Sequence, residues 1–496
     1  MTLLIDGHSF HYEMENLCRI YFPYQKIIVT KEPAEDNMLV YTGLAKKDDG
    51  YFITARIAFH SYVKQAEDFL GTEDDEREQE RRMAVLLFGL LVDYCGFTPK
   101  WGILTGVRPV KLLRHLIEEM GQQAALDFFK KKLLVSAEKT DLSLSTMRNE
   151  EKLLARSKQE SFSLYISIPF CPTRCAYCSF VSSSVEKTVK LIPDYLTLLC
   201  DEIAYTAKTA ADLGLHLESV YVGGGTPTTL SAQQLQVLLD TVNKNYDLSQ
   251  CREFTVEAGR PDTITREKLK VLQSGGVTRI SINPQTLNDQ VLVNIGRRHN
   301  TEQTLSSYAL ARELGFDNIN MDLIVGLPGD TLQSFQSTLD RVIQLAPESI
   351  TVHTLSLKRS SRIFQDESRP FCNDAEIPAQ MLDYADSQLS KFGYAPYYLY
   401  RQSRMVGNLE NTGWSKPGFE SPYNVYIMDE THTILACGAG ASTKIKDPWS
   451  DRLERIFNFK YPYEYIRRYE EMIIRKDQVK SIYDKFRNLS QRTESD

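Results

Sequence analysis

Long hydrophobic runs are missing from this sequence. Its most apolar stretch, Ala84–Gly96, is short and interrupted by Asp93, which predicts a buried helix and no membrane span. A surplus of positive charge is missing too. Lys and Arg number 58 against 65 Asp and Glu, giving −7 and a pI near 5.8, which argues against nucleic acid as a partner. An anionic ligand would therefore need a local basic pocket. Met1–Gly7 shows no basic segment leading into an apolar core, so no signal peptide is expected. Cysteine is sparse: nine in 496 residues, six of them scattered, which excludes a disulfide scaffold and reads as reduced thiols in a cytoplasmic protein. What is present is the composition of a soluble globular chain, 42% hydrophobic and 25% charged, with length for two or three domains.

The other three cysteines stand within eight residues, in Cys171-Pro172-Thr173-Arg174-Cys175-Ala176-Tyr177-Cys178. Three thiolates this close can point into one small volume. Iron–sulfur clusters are held by cysteine thiolates, normally four for one [4Fe–4S] unit, so three would leave one iron open to a ligand that is not protein. Zinc normally takes four Cys or His ligands, and the next such residues, Cys200 and His216, are distant in sequence. A cluster is favoured, with zinc and structural cysteines as the alternatives.

Residues 1 to about 70 alternate apolar and polar, as in Lys26–Thr30, Met38–Gly43 and Tyr51–Ala58, and predict strands of a small sheet. Acidic Glu73–Glu80 opens a helix that runs through Ala84–Tyr94. Trp101–Arg114, with Arg108, Pro109, Lys111 and Arg114, reads as a solvated helix start ahead of an anion site. Ser136–Gln159 reads as a helical linker. From Leu164 the texture changes to strand, turn and helix. Strands are predicted over Leu164–Phe170, Glu218–Gly223, Glu253–Ala258, Arg279–Asn283, Asn318–Val325 and Ser349–Leu357. Helices are predicted over Lys190–Leu213, Ala232–Asn245, Arg266–Gln273, Glu302–Leu314 and Leu332–Leu345. Six βα units imply an α/β fold, either an open doubly wound sheet or a barrel. Polar and Gly-rich sequence gathers at the strand C-terminal ends, where barrel active sites sit. Beyond Pro370 the alternation stops, and a smaller α+β region ends in helical Tyr463–Lys476 and a polar, fraying tail.

Gly223-Gly224-Gly225-Thr226-Pro227-Thr228 links the second of these strands to its helix, and consecutive glycines let backbone amides approach a ligand. Glu257, Gln285, Arg297 and Asp322 lie at or after the ends of later strands. A carboxylate inside the apolar run around Asp322 needs a partner, which marks it as a ligand group or as part of a buried pair. Arg298 and His299 read as surface residues.

The three-cysteine motif resembles the signature of the radical S-adenosylmethionine (SAM) superfamily. Tyr165–Phe170 with the cysteines, the Gly-Gly-Gly-Thr-Pro-Thr turn, Asp322–Gly329 and Cys437-Gly438-Ala439-Gly440-Ala441-Ser442 together resemble the oxygen-independent coproporphyrinogen III oxidase (dehydrogenase) family. The long N-terminal extension, and Arg401-Gln402 before Gly407–Asn411, are most similar to its HemZ-type branch. The resemblance implies a partial (β/α)6 radical SAM barrel over 160–365, an N-terminal α+β domain over 1–155 and a smaller C-terminal α+β domain over 366–496. It implies a [4Fe–4S] cluster on Cys171, Cys175 and Cys178, and one or two SAM molecules, with Tyr165, Gly224, Gly225, Thr226, Glu257, Gln285, Arg297 and Asp322 around SAM. It implies decarboxylation of a tetrapyrrole and an electron donor such as flavodoxin or ferredoxin. Four substrate carboxylates want cations; Lys358, Arg359, Arg362, Arg401 and Arg404 are the candidates. A heme-binding chaperone and a heme-modifying radical methyltransferase are the alternatives. Ser167 and Phe180 stand where the oxidases have histidine and cysteine, and Tyr423-Asn424 stands where the chaperone branch has His-Asn.

Overall fold

The computed structural model describes residues 1–178, 182–356, 375–402 and 405–493. The chain forms two compact units. The first comprises Met1–Met147 with Thr354–Asp383 and Leu399–Asn411. Its sheet holds β1 (Thr2–Asp6), β2 (Ile28–Thr30), β3 (Met38–Lys47), β4 (Gly50–Phe59) and β5 (Tyr62–Gly71), ordered β2-β1-β3-β4-β5. Alternation puts Val40, Ile53, Ala55 and Ile57 in a core shared with Leu87, Phe88 and Leu91 of helix Glu76–Cys95. Asp75 caps that helix by accepting from Glu78 N at 2.9 Å. Pro109 opens helix Pro109–Met120, the helix start expected of the basic segment.

The segment read as a linker is helix Ala137–Leu154, and its Lys139, Thr140, Ser143 and Thr146 are buried. Lys139 meets Glu410 at 2.7 Å, and Trp101 Nε1 donates to the same carboxylate at 2.6 Å. All three side chains lie in the core of the first unit.

The second unit comprises Arg148–His353, Tyr384–Tyr398 and Thr412–Asp496. Its six alternating strands are β6 (Ser161–Ile168), β9 (His216–Gly224), β10 (Glu253–Glu257), β11 (Arg279–Ser281), β12 (Ile319–Val325) and β13 (Ser349–Thr354). Two-residue β7 (Phe170–Cys171) and β8 (Ser183–Ser184) pair beside them. The six lie adjacent in the order β13-β12-β11-β10-β9-β6, with parallel pairing from β6 through β12. The first strand ends at Ile168, short of the predicted Phe170, because Pro169 has no N–H for the ladder. Helices Ile192–Asp212, Ala232–Asn245, Arg266–Ser274, Thr301–Glu313 and Leu332–Leu345 match the predicted set within a few residues. Their starts are written locally: Ser231 with Gln234, and Asn300 with Gln303, form capping boxes.

The C-terminal segment enlarges this sheet. The remaining strands are β14 (Ala395–Tyr400), β15 (Asn411–Ser415), β16 (Thr433–Cys437), β17 (Ser442–Lys446) and β18 (Leu453–Phe457). β16 runs parallel beside β6, β17 and β18 follow it, and β15 runs antiparallel to β13, giving eleven strands among the described residues. The expected frayed tail is helix through Thr493: Val479, Tyr483 and Phe486 are buried, and Lys480 and Lys485 pair with Asp212 and Glu454. Among the described residues, no helix is long and apolar enough to cross a membrane.

Candidate radical SAM site

The cysteine loop leaves the C-terminal end of the first barrel strand, the end of the sheet to which the other strand-end residues also belong. It is held by its neighbours' backbone. Ala176 N donates to Ile295 O at 2.9 Å, Thr173 Oγ1 to Gly296 O at 3.1 Å, and Cys178 N to Cys175 O at 3.2 Å. Cys171 and Cys175 are buried and Cys178 is half-buried. Donors face the sulfurs: Thr226 Oγ1 stands 3.6 Å from Cys171 Sγ, and Arg260 Nη1 3.7 Å from Cys175 Sγ. Burial raises the Cys171 thiol, with the Thr226 and Ser182 hydroxyls and then Arg260 pulling the other way. Among the described residues, no three His, Cys, Asp or Glu side chains are placed to hold a single metal ion. A cubane cluster carries its thiolates on separate irons and accepts N–H and O–H bonds at sulfur, and this donor set fits it.

The glycine turn is packed against the start of that loop. Gly225 N donates to Ile168 O and Thr226 N to Phe170 O, both at 2.7 Å. A Cβ on Gly225 would stand 2.5 Å from Phe170 O, so only glycine lets the two segments approach this closely.

Tyr165 and Tyr221 are register partners on β6 and β9. Their rings stack with Tyr423, which lies 4.4 Å from Tyr221 and 6.2 Å from Tyr165 by centroid. Tyr221 donates its hydroxyl to Glu257 Oε1 at 2.6 Å. Burial pushes the Glu257 carboxyl up to about 7, with Asp322 adding repulsion against the relief from Tyr221. Asp322 behaves oppositely. Burial alone would raise it, but His353, whose Nε2 lies 3.7 Å away, and Asn320, donating at 2.7 Å, hold it below its ordinary value. The site thus contains one carboxylate kept ionised and one poised near neutrality.

Gln285 is buried with φ of 66°, in the left-handed region. Its N–H donates to Asp322 O at 2.9 Å and its carbonyl accepts from Ile324 N at 3.0 Å. Strained backbone of this kind gathers at functional positions. Arg297 donates to Tyr177 Oη at 2.8 Å and to the carbonyls of Gly259 and Asn283. It therefore ties the cysteine loop to the ends of the third and fourth barrel strands.

Arg298 is exposed and pairs with Glu186, as expected. His299 is buried, contrary to the surface reading. Its ring stays neutral, pushed down to about 3 by burial and by Arg297 and Arg260. Ser167 donates to Ala439 O at 2.8 Å and receives the Tyr195 hydroxyl at its carbonyl, so it binds the Cys437–Ser442 loop to the first strand.

The cations proposed for substrate divide differently. Lys358, Arg359, Arg362 and Arg404, like Phe180, lie outside the described residues. Arg401 belongs to the first unit. It donates to Leu104, Gly106 and Asn408 carbonyls and lies over Trp101, while Nη2 has no partner among the described residues. Sequence reasoning missed Tyr221, His353 and Arg260. Tyr221 could have been found from its position two residues before Gly223, on the same strand face.

Fold and site define a radical SAM protein. The sequence pattern of the Radical SAM superfamily matches residues 165–342. The oxygen-independent coproporphyrinogen-III oxidase-like protein HemZ of Bacillus subtilis is 36% identical over 482 residues, covering 95% of this chain and 96% of the relative. The heme chaperone HemW of the same organism is 33% identical over 314 residues, covering 61% and 77%. Among solved structures, coproporphyrinogen III oxidase (HemN) of Escherichia coli, a radical SAM enzyme, matches with a TM-score of 0.51 at 26% identity, covering 65% of this chain and 72% of that one. The chain belongs to the HemZ family of oxygen-independent coproporphyrinogen-III oxidase-like proteins.

Proposed function

We propose that the protein oxidatively decarboxylates propionate side chains of coproporphyrinogen III to vinyl groups, giving protoporphyrinogen IX, as a cytoplasmic enzyme. The observation that carries this reading is the end-to-end match to HemZ, with the cysteine loop, glycine turn and strand-end carboxylates gathered at one end of the barrel sheet. A [4Fe–4S] cluster with SAM, when bound, supplies a reducing electron and a carbon-centred radical that takes a hydrogen atom.

The protein's part is to bind, orient and exclude water. Cys171, Cys175 and Cys178 would hold the cluster. Gly224, Gly225 and Thr226 would offer close-approaching backbone, and Asp322 an ionised carboxylate for a hydroxyl or ammonium group. Glu257, near its titration point and held by the Tyr221 hydroxyl, would accept a proton from a bound ligand or release one to it. Each propionate then loses one hydrogen atom, carbon dioxide and one electron as the C=C bond forms. The electron passes to a one-electron acceptor, and a flavodoxin- or ferredoxin-like donor reduces the cluster. Arg401, with one guanidinium nitrogen unspent, stays the described candidate for a substrate carboxylate.

The HemW match favours a second reading, heme carriage. Against it, Tyr423 occupies the place of that branch's histidine and is packed within the tyrosine stack. The test is anaerobic turnover with reconstituted cluster, SAM, dithionite and coproporphyrinogen III. Formation of protoporphyrinogen IX with 5′-deoxyadenosine is expected. Stoichiometric heme retention with no decarboxylated product would establish the carrier instead.

A further inference from the structure

Arg260 follows the third barrel strand and is 3% exposed. Its planar fork has two occupied edges. Nε and Nη2 pair with Asp262 at 3.0 and 3.2 Å. Nη1 and Nη2 both reach Thr173 Oγ1 at 3.2 Å, and Nη1 continues to Cys175 Sγ at 3.7 Å. Burying a guanidinium is costly, and Asp262 offsets that cost without any need for the sulfur. A neutral thiol is a weak acceptor. A thiolate accepts strongly, so this contact gains its worth only when Cys175 is ionised, as a cluster ligand is.

We infer that Arg260 sets the reduction potential of the cluster carried by Cys171, Cys175 and Cys178. Hydrogen bonds to sulfur and nearby charge are the protein's levers on such potentials. One electron enters the cluster from the low-potential donor and no proton moves, since the guanidinium stays charged throughout. The added negative charge is stabilised by the N–H and the positive charge at Cys175, so reduction becomes easier. Asp262 opposes this from the far edge of the fork. This assignment rests on the cluster proposed above and goes beyond it, because cluster binding needs only the cysteines.

The test is redox titration of the reconstituted full-length protein, followed by electron paramagnetic resonance, with iron and acid-labile sulfide counted per chain. Arg260→Met keeps the side chain's length and removes the charge and the donor. At the wild-type midpoint potential its ratio of reduced to oxidised cluster should fall about tenfold, which is about 59 mV for one electron. Arg260→Lys should recover part of the loss. Asp262→Asn should shift the midpoint the other way, because the guanidinium is no longer opposed. An Arg260→Met protein with full iron and sulfide and an unmoved midpoint overturns the inference. If that variant fails to assemble a cluster, Asp262→Asn decides: an upward shift supports the assignment and an unmoved midpoint overturns it. A wild-type protein that takes up no iron or sulfide overturns the cluster reading itself.

Discussion

Glu257 and Asp322 share one site and titrate in opposite senses, for reasons visible in their partners. Asp322 has His353 and Asn320 beside it; Glu257 has the Tyr221 hydroxyl, with smaller relief from Arg279 and His353, and these do not overcome burial and the Asp322 charge. With its folded value near 7 against an ordinary 4.5, Glu257 keeps a proton that the unfolded chain has already lost in that range. The folded state then binds more protons than the unfolded one, so this group's contribution to stability falls as pH rises from about 5 to 7. Glu257→Gln removes the effect. Between pH 5 and pH 8 the ligand-free variant should gain on the order of 2 kcal/mol over wild type, the partial exposure of the group discounting the full shift. Urea midpoints at the two pH values measure this, and a difference independent of pH would refute it. Gly225→Ala must move either its own turn or the Phe170 carbonyl, at about 1–3 kcal/mol. Calorimetry should show SAM affinity falling at least tenfold while the chain still melts cooperatively. Unchanged affinity would mean that the turn does not approach the ligand.

Between elements, the last helix is fastened to the barrel by charge. Lys476 is buried and meets Glu202 of helix Ile192–Asp212 at 2.9 Å. Glu202 also accepts from Gly438 N at 2.7 Å, Tyr465 Oη at 2.6 Å and Asn458 Nδ2 at 2.8 Å. This carboxylate therefore holds the Cys437–Ser442 loop that Ser167 grips from the other side. Lys476→Met leaves Glu202 uncompensated and should cost about 3–5 kcal/mol, whereas adding Glu202→Gln should recover part of that. A double-mutant cycle checks it, and strictly additive losses would count against a coupled pair. None of this was readable from sequence, and the reason is physical. The barrel strands, the capped helices and the cysteine and glycine turns are local signals, each complete within about a dozen residues. Glu202 and Lys476 stand far apart in the chain and look, one at a time, like surface charges on amphipathic helices. Arg260 was hidden the same way, since its sulfur partner lies on another strand's loop. His299 was misread because Arg297 and Arg298 before it look like the start of a solvated run, while the chain turns the ring inward beside Asp262. The motif residues were legible because a ligand demands their chemistry at fixed spacing, whereas their supports only need to arrive from somewhere.

At the scale of the whole chain, the N-terminal 147 residues are not a free-standing extension. The first unit incorporates Thr354–Asp383 and Leu399–Asn411, and its core closes on Glu410, a residue from late in the sequence. Lys139 and Trp101 both spend their polar atoms on that carboxylate, and none of the three is exposed. Thr354 adds a hydroxyl bond to Glu410 O at 2.6 Å, and Asn411 Oδ1 accepts from Thr354 N at 2.8 Å. Removing Met1–Met147 would strip Glu410 of Lys139 and Arg401 of the Leu104 and Gly106 carbonyls, leaving both charges short of partners and Arg401 with the Asn408 carbonyl. A chain starting near residue 155 should consequently lose amide protection across 399–402 and 405–411 while keeping it in β9 through β12, which hydrogen exchange reads directly. Glu410→Gln in the full chain isolates the electrostatic part. It takes the Glu410 charge away from Lys139 in the core and should lower stability by about 3–5 kcal/mol, and Lys139→Met on the same background should return part of it. Should the shortened chain protect 399–402 and 405–411 as the full chain does, the first unit would be separable from the segment it encloses. The expected loss instead makes the N-terminal sequence a structural requirement for the segment that carries Arg401, and so for any substrate contact that residue makes.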